Sequence, residues 1–490
     1  MAAIEPRDSK AALPGPEDVQ YDEKPFNVPQ DVDDDEEYTV AEQRKIIHKV
    51  DRRLLIILGA MQAVSFLDRA NMSNAAIAGM TKDLALGVSN RYSITLLVFF
   101  GPYVALQFPA GAFVRKLGPR MFLSSIVTAW GIIMMCFGFV QHWHSLIALR
   151  MLLGALEAGC FAGQYYLISS WYSRYHLHKR VSVFYLLGVA GSALGGLLAL
   201  LFSQMKGIAN YNGWRWIFIM EGLITIIVGI LGFIFMVDFP ENAHKAWGFL
   251  TEKETAFIVR RINRDRDDGE PEKFAWRKYL KPAKDLKVWA FAMLFFCSTL
   301  QAYSVGFYLP IIIQGNMGFS VTISQVLSTP PYVLAMILMY IQGWLSDKHR
   351  VRAPVLIMNA ILSITGLVLM KWAPVAGAQY LGSLLVTAGA SANIASVMVY
   401  QANNIRGPWK RAFCSGSMIS FGGTGGIAGS LIFRAQDKPS YLPGMVGCIT
   451  ANGIILVIVA ALSIHFYVSN RKADKGEKVI EDLPSFRYTI

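Results

Sequence analysis

The chain has 490 residues, of which 54% are hydrophobic and 16% charged, with a formal net charge of +12 and a mean hydropathy of +0.38. Soluble globular chains carry about 25% charged residues, so the composition excludes one. It also excludes a disordered or collagen-like chain, since the apolar content is too high and the Gly and Pro residues are not periodic.

Residues 1–50 read as a disordered cytoplasmic tail, with five prolines and the acidic run Asp31 to Glu37. No basic-then-apolar start precedes a cleavage site, so this is not a signal peptide and the first span acts as its own insertion signal. A basic lead-in containing Arg44, Lys45, Lys49, Arg52 and Arg53 follows. Twelve apolar runs then reach the roughly 20 residues that a bilayer crossing needs. They cover 54–75, 93–113, 121–141, 145–170, 181–204, 215–237, 288–313, 325–345, 354–373, 379–401, 412–433 and 445–468. Ser, Gly and Asn interrupt several of them, as in helices that face a polar cavity. The expected fold is therefore an all-α membrane protein of twelve transmembrane helices. It divides into a six-helix bundle over 51–237, a cytoplasmic connector over 238–287, a second six-helix bundle over 288–468 and a cytoplasmic tail over 469–490.

Loop charges set the orientation. Arg115, Lys116 and Arg120 follow span two, and Arg174, Lys179 and Arg180 follow span four. Lys348, Arg350 and Arg352 follow span eight, and Arg406, Lys410 and Arg411 follow span ten. The loops on the other side are poor in Lys and Arg, which places both termini in the cytoplasm. Basic residues clustered in this way are topology signals, so no nucleic-acid partner is expected. The five cysteines lie inside apolar runs with neither zinc nor disulfide spacing, and they read as small buried hydrophobes. No cofactor and no metal are implied.

The two halves repeat. Gly111, Lys116 and Arg120 recur 232 residues later as Gly343, Lys348 and Arg352, and the second copy carries Asp347 where the first has Arg115. Gly188, Gly191 and Gly195 of span five recur 234 residues later as Gly422, Gly425 and Gly429 of span eleven. Two patterns at nearly one offset imply a duplicated six-helix unit. Small residues four apart let helix backbones approach closely, so these glycines are candidates for packing or for sliding contacts.

A six-plus-six repeat is the plan of major facilitator transporters, and the basic loops with Asp347 and Lys348 resemble that superfamily's loop signature. Phe66-Leu67-Asp68-Arg69-Ala70-Asn71 resembles the signature of the anion:cation symporter family. The stretches 150–159 and 213–222, Asp238-Phe239-Pro240, Asn403-Asn404 and Tyr441-x-Pro443-Gly444 resemble its fungal allantoate-permease branch. The resemblance implies the major facilitator fold and a cavity between the halves. It also implies an arginine at position 69 that contacts a substrate anion.

Charges deep in a span cost roughly 2.5–3.5 kcal/mol on insertion scales and persist where they have a task or a partner. Here they are Asp68, Arg69, Arg150, Glu157 and Glu221, all in the first half. Arg69 is the leading anion ligand and Arg150 the second, because a guanidinium stays charged when buried and binds a carboxylate through two parallel hydrogen bonds. Asp68 adjoins it but points about 100° away, and we expect it to pair with Arg150 across helices. Glu157, among Ala and Gly at mid-span, is a candidate proton carrier together with Asp68. Glu221 is expected to be structural, paired with Arg215. The second half offers neutral polar groups, among them Tyr303, Tyr308 and Asn393, to shape and hydrogen-bond the substrate.

The resulting expectation is a monomeric, multi-pass plasma-membrane transporter, not an enzyme. Its partners are a small organic anion and protons within a lipid bilayer, and proton-coupled uptake is the main reading. Export of an acidic secondary metabolite and a non-transporting nutrient sensor are the alternatives.

Overall fold

In a computed structural model of the chain, the described residues are 38–88, 90–172, 174–266, 280–349, 351–406, 408–437, 441–481 and 486–490. The acidic run at 31–37 lies outside them. The described residues 38–47 belong to one unit and the described residues from His48 on to the other. In the first unit, Thr39 caps the opening turn through its N–H and hydroxyl, both donating to Glu42 Oε2 at 2.9 and 2.7 Å.

The second unit is built of helices, because a backbone in hydrocarbon has to satisfy its own hydrogen bonds. Span one belongs to the helix Val40–Ala75 and span two to Arg91–Leu117. Spans three, five and six are Pro119–Phe137, Arg174–Ser203 and Gly213–Phe235. Spans seven, nine, ten, eleven and twelve are Leu286–Met317, Ala353–Trp372, Ala376–Asn404, Pro408–Ile432 and Leu442–Asp474. Two spans are broken. Span four is Trp143–Glu157 followed by Cys160–Trp171, and span eight is Val321–Leu327 followed by Thr329–His349. Among the described residues, nine helices are long and apolar enough to cross a membrane. Span one is not one of them, since it carries Gln62, Ser65, Asp68, Arg69, Asn71, Ser73 and Asn74 within a few turns.

Glycine sets the helix spacing inside each half. A side chain on Gly191 of span five would collide with the carbonyl of Ala63 in span one, and one on Gly188 would come within 2.8 Å of Gln62. A Cβ on Gly195 would sit 3.3 Å from Ala70. In the second half, Gly425 and Gly429 of span eleven face span seven, where a Cβ would lie 2.6 Å from the carbonyls of Phe296 and Leu300. Gly422 meets Phe295 of the same span. The repeated glycines therefore perform one packing task twice, span five on span one and span eleven on span seven.

Contacts between the halves use other residues. Gly196 sits against Gln325 of span eight, and Gly423 and Gly426 receive Val104 and Phe100 of span two. Toward the end opposite the basic loops, Tyr92 donates to the carbonyl of Phe307 at 3.1 Å, and Ser93 and Tyr308 share a hydrogen bond of 3.2 Å. Ser73 donates to Gly306 at 3.2 Å.

At the basic end, Arg180 of span five pairs with Asp51 of span one at 3.2 Å. Arg53 donates to the carbonyls of Phe235 and Trp247, and Trp171 donates to that of Asp238, which seats the start of the connector. The tail does not trail away. Asn404 exchanges two hydrogen bonds with the backbone of Thr489, and Asn470 two with that of Tyr488. The Tyr488 ring stacks on Phe466 at 4.4 Å. Glu481 pairs with Lys287 at 2.6 Å and Lys410 at 2.7 Å. Burial works to raise the Glu481 carboxyl, but the two ammonium groups outweigh it and hold it below the usual carboxylate range.

Candidate functional site

The polar stripe of span one divides by the 100° rotation between neighbouring residues. Asp68 points into the first bundle, where it is 2% exposed and accepts hydrogen bonds from Trp130 of span three at 3.0 Å and Thr225 of span six at 3.4 Å. Arg69 points the other way, toward the second half. Asn71, Ser73 and Asn74 continue the stripe, and the span closes in a π-helical turn, Ala76–Met80, containing Gly79 at φ 118°.

Arg69 lies on the wall of a central cavity of about 120 Å³. Spans one, two, four, five, seven, eight, ten and eleven all contribute to it. Among the described lining residues Arg69 is the one charged side chain. It forms an ion pair with Glu157, which also accepts a hydrogen bond from Ser65. Its Nη1 donates to the Tyr303 hydroxyl of span seven at 3.1 Å. Its guanidinium rests over the rings of Phe66, Tyr303 and Tyr103 at 5.5, 5.5 and 5.8 Å. The arginine thus joins spans one, four and seven, and through Tyr303 it joins the two halves.

Glu157 can reach Arg69 because of where span four breaks. The first segment ends at Glu157, Ala158 and Gly159 form a turn, and the second segment starts at Cys160. At Gly154 a side chain would collide with the carbonyl of Phe99 in span two, so the segment is pressed close. The break therefore falls at the carboxylate. Chemically, the cation on the cavity wall is neutralised by an anion buried behind it, and a carboxylate guest would compete with Glu157 for the same guanidinium.

The other expected residues are spread around this centre. Arg150 is 2% exposed, lies over the Phe137 ring at 5.5 Å and is outside the cavity lining. Its Nε and Nη2 have no hydrogen-bond partner, and the expected pair with Asp68 is not formed. Those two residues instead face different neighbours inside the first bundle. Tyr308 meets the first half through Ser93 at 3.2 Å, and within its own half it donates to the Ser430 carbonyl at 3.3 Å with its ring tilted against Phe433. Asn393 is buried between the lining residues Ser391 and Ile394, and neither of its amide atoms is hydrogen-bonded. Glu221 is fully buried and does not meet Arg215, which donates to the Gly138 carbonyl at 2.8 Å and stacks on Trp214. Lys348 lies over the exposed Trp344 ring at 5.0 Å. The side chains of Arg115 and Asp347 lie outside the described residues.

Several site residues escaped the sequence reading. Tyr103 and Tyr185 line the cavity, as does Gln62, whose Oε1 is buried without a partner. Trp130 and Ser65 hold Asp68 and Glu157. A tyrosine or serine in an apolar span is unremarkable by itself, so in the first half only the charges carried a signal.

The chain's residues 58–430 match the model of the Major Facilitator Superfamily. It is 31% identical to an uncharacterized transporter of Schizosaccharomyces pombe, over 88% of this chain and 86% of that one. It is 29% identical to the high-affinity nicotinic acid transporter of Saccharomyces cerevisiae, over 90% of this chain and 80% of that one. Among solved structures, the partially occluded inward-open xylose transporter of E. coli superposes with a TM-score of 0.63, at 14% identity, over 86% of this chain and 98% of that one.

Proposed function

The chain belongs to the Major Facilitator Superfamily and is a membrane transporter rather than an enzyme, and from that premise we propose that it carries a small organic anion together with protons. The observation behind this reading is the lone charged side chain among the described residues of the cavity wall, Arg69, held by the carboxylate of Glu157. A proton on Glu157 removes the competing charge. The guanidinium then takes the guest carboxylate, with the Tyr303 hydroxyl at its side. A neutralised, loaded cavity costs less to enclose than one holding an unpaired charge. On the other side the proton leaves Glu157, the internal ion pair reforms and the anion is released. Asp68, braced by Trp130 and Thr225, is the second proton position in this scheme.

The positive-inside pattern puts the basic end and both termini in the cytoplasm. With that orientation the contacts at Tyr92, Ser93 and Gly196 close the outer end. We assign the chain to the plasma membrane and to the anion:cation symporter family, in its allantoate-permease-like branch, on the span-one signature. The described lining residues all come from one chain, and we read the protein as a monomer. The name of the yeast relative, a nicotinic acid transporter, agrees with a small carboxylate cargo.

Uptake of labelled carboxylates into proteoliposomes tests this. Uptake should rise as the external side is acidified, collapse with a protonophore and vanish in Arg69→Ala despite normal reconstitution. Undiminished uptake by Arg69→Ala would remove arginine-anchored anion binding.

A further inference from the structure

Beside the central cavity lies a larger one of about 390 Å³, and we propose that it seats an acyl chain of an anionic phospholipid, which holds the two halves apart at the basic end. The cavity lies between the halves. Ser182, Val183 and Leu186 of span five form one side, and spans eight, nine and ten form the other. Spans five and eight touch farther out, where a side chain on Gly196 would collide with the carbonyl of Gln325. Leu186 lies about 15 Å back along span five from Gly196. The two spans therefore meet at one end and leave a cleft at the other. Tyr340 and Trp344 stand on its rim, 72% and 59% exposed, inside the apolar run of span eight.

The lining is graded along its depth. Leu186, Met339, Ala392 and Ala395 make the deep end apolar. Midway, Gln342 exchanges two hydrogen bonds with Asn359, at 2.7 and 3.1 Å, and the Ser396 hydroxyl donates to its own helix at 2.9 Å. Both are satisfied without a guest. Arg352 and Ser346 stand nearest the basic end, joined by a hydrogen bond of 2.6 Å. Lys348 is exposed there, and its ammonium rests over the Trp344 ring at 5.0 Å. An apolar depth with a tryptophan and a cation at the mouth matches a phospholipid. The chain enters, Trp344 sits at the level of the head groups, and Lys348 meets the negative head. A void would forfeit the dispersion contacts of its lining, and in a bilayer the neighbouring filler is a lipid chain.

The occupant touches both halves, so it bears on their rocking. Closing the basic end brings span five onto spans eight and ten and leaves the chain no room. A lipid that binds the form open at that end shifts the equilibrium toward it by its differential affinity. This holds whatever the cargo is.

The test uses the full-length chain with one spin label on each half at the basic end, in nanodiscs of phosphatidylcholine or of phosphatidylglycerol. Phosphatidylglycerol should raise the ratio of long to short distances by about threefold or more. Lys348→Gln changes an exposed residue and leaves the fold intact. It should hold the ratio at the phosphatidylcholine value in both lipids, and Lys348→Arg should restore the response. Ala395→Phe puts a ring where the chain would lie, so its ratio should be high in both lipids. Equal ratios for the unmodified chain in the two lipids would overturn the proposal. A response to phosphatidylglycerol that persists in Lys348→Gln and in Ala395→Phe would place the lipid on another surface and overturn this site.

Discussion

Arg69 has two claimants, Glu157 and a carboxylate guest, and the competition between them links protons to cargo. The pair is buried, with Arg69 13% and Glu157 3% exposed. Such pairs add little net stability over a well-packed apolar alternative, yet removing one partner costs about 3–5 kcal/mol, because a charge is left alone. That asymmetry separates two substitutions. Arg69→Ala leaves a buried carboxylate with only Ser65 to hold it. Glu157→Gln keeps the shape and hydrogen-bonding capacity but removes the negative charge, which mimics the protonated state. Glu157→Gln should therefore bind anion at neutral pH as well as the unmodified chain does at acid pH. The rise of uptake on acidification should flatten, and the anion should be released slowly because nothing displaces it. Binding and uptake measured between pH 5 and 8 check this. An unaltered pH profile in Glu157→Gln would assign the coupling proton elsewhere, with Asp68 of the span-one stripe as the next carboxylate to test.

At the level of helices, glycines that look alike in the sequence do different work. Gly191 touches span one inside its own half, whereas Gly196, five residues on, touches span eight of the other half. Gly191→Ala forces a methyl into the Ala63 backbone and should lower the yield of folded protein. Gly196→Ala forces one into the Gln325 carbonyl, and the halves can relieve that by separating at this end. Its fold should persist while the population shifts toward the conformer open at the end away from the basic loops. Alkylation of a cysteine placed at Ser73 should be faster in Gly196→Ala and undetectable as a folded-protein signal in Gly191→Ala. The sequence made the helices themselves plain. The expected 215–237 became Gly213–Phe235 and 354–373 became Ala353–Trp372, because runs of apolar residues in lipid have few alternatives to helix. The repeat was equally readable, since the two glycine triplets pack on corresponding spans. Helix register was not readable. Asp68 was matched with Arg150 and Glu221 with Arg215 by charge alone, while rotation and depth gave Asp68 to Trp130, Arg69 to Glu157 and Arg215 to a carbonyl. The break after Glu157 had a faint trace in Ala158-Gly159, and the tail's return onto Asn404 and Asn470 had none.

Over the whole molecule the two halves can rock only if each holds together and the contacts between them stay weak. The second half is braced at the basic end, where the tail engages spans seven, ten, eleven and twelve through Lys287, Asn404, Lys410 and Asn470. Between the halves, span five packs on span eight and span two on span eleven, and a handful of hydrogen bonds cross among the described residues. Tyr92 gives one hydrogen bond to the Phe307 carbonyl at 3.1 Å, and its ring meets Tyr308 edge to face at 5.6 Å. Tyr92→Phe keeps the ring contact and removes only the hydrogen bond. The carbonyl it frees sits in a helix and retains its helical partner, so the loss is that of a single net hydrogen bond, about 0.5–1.5 kcal/mol. In a two-state rocking equilibrium that is a shift of roughly 2- to 10-fold toward the form open at the Tyr92 end. Distance distributions between spin labels on the two halves at that end should show the longer population growing by this factor. Thermal stability should change by little, because neither half loses an internal contact. A Tyr92→Phe chain with unchanged distances but a lowered melting temperature would place this hydrogen bond in the folding of the bundle rather than in its closure.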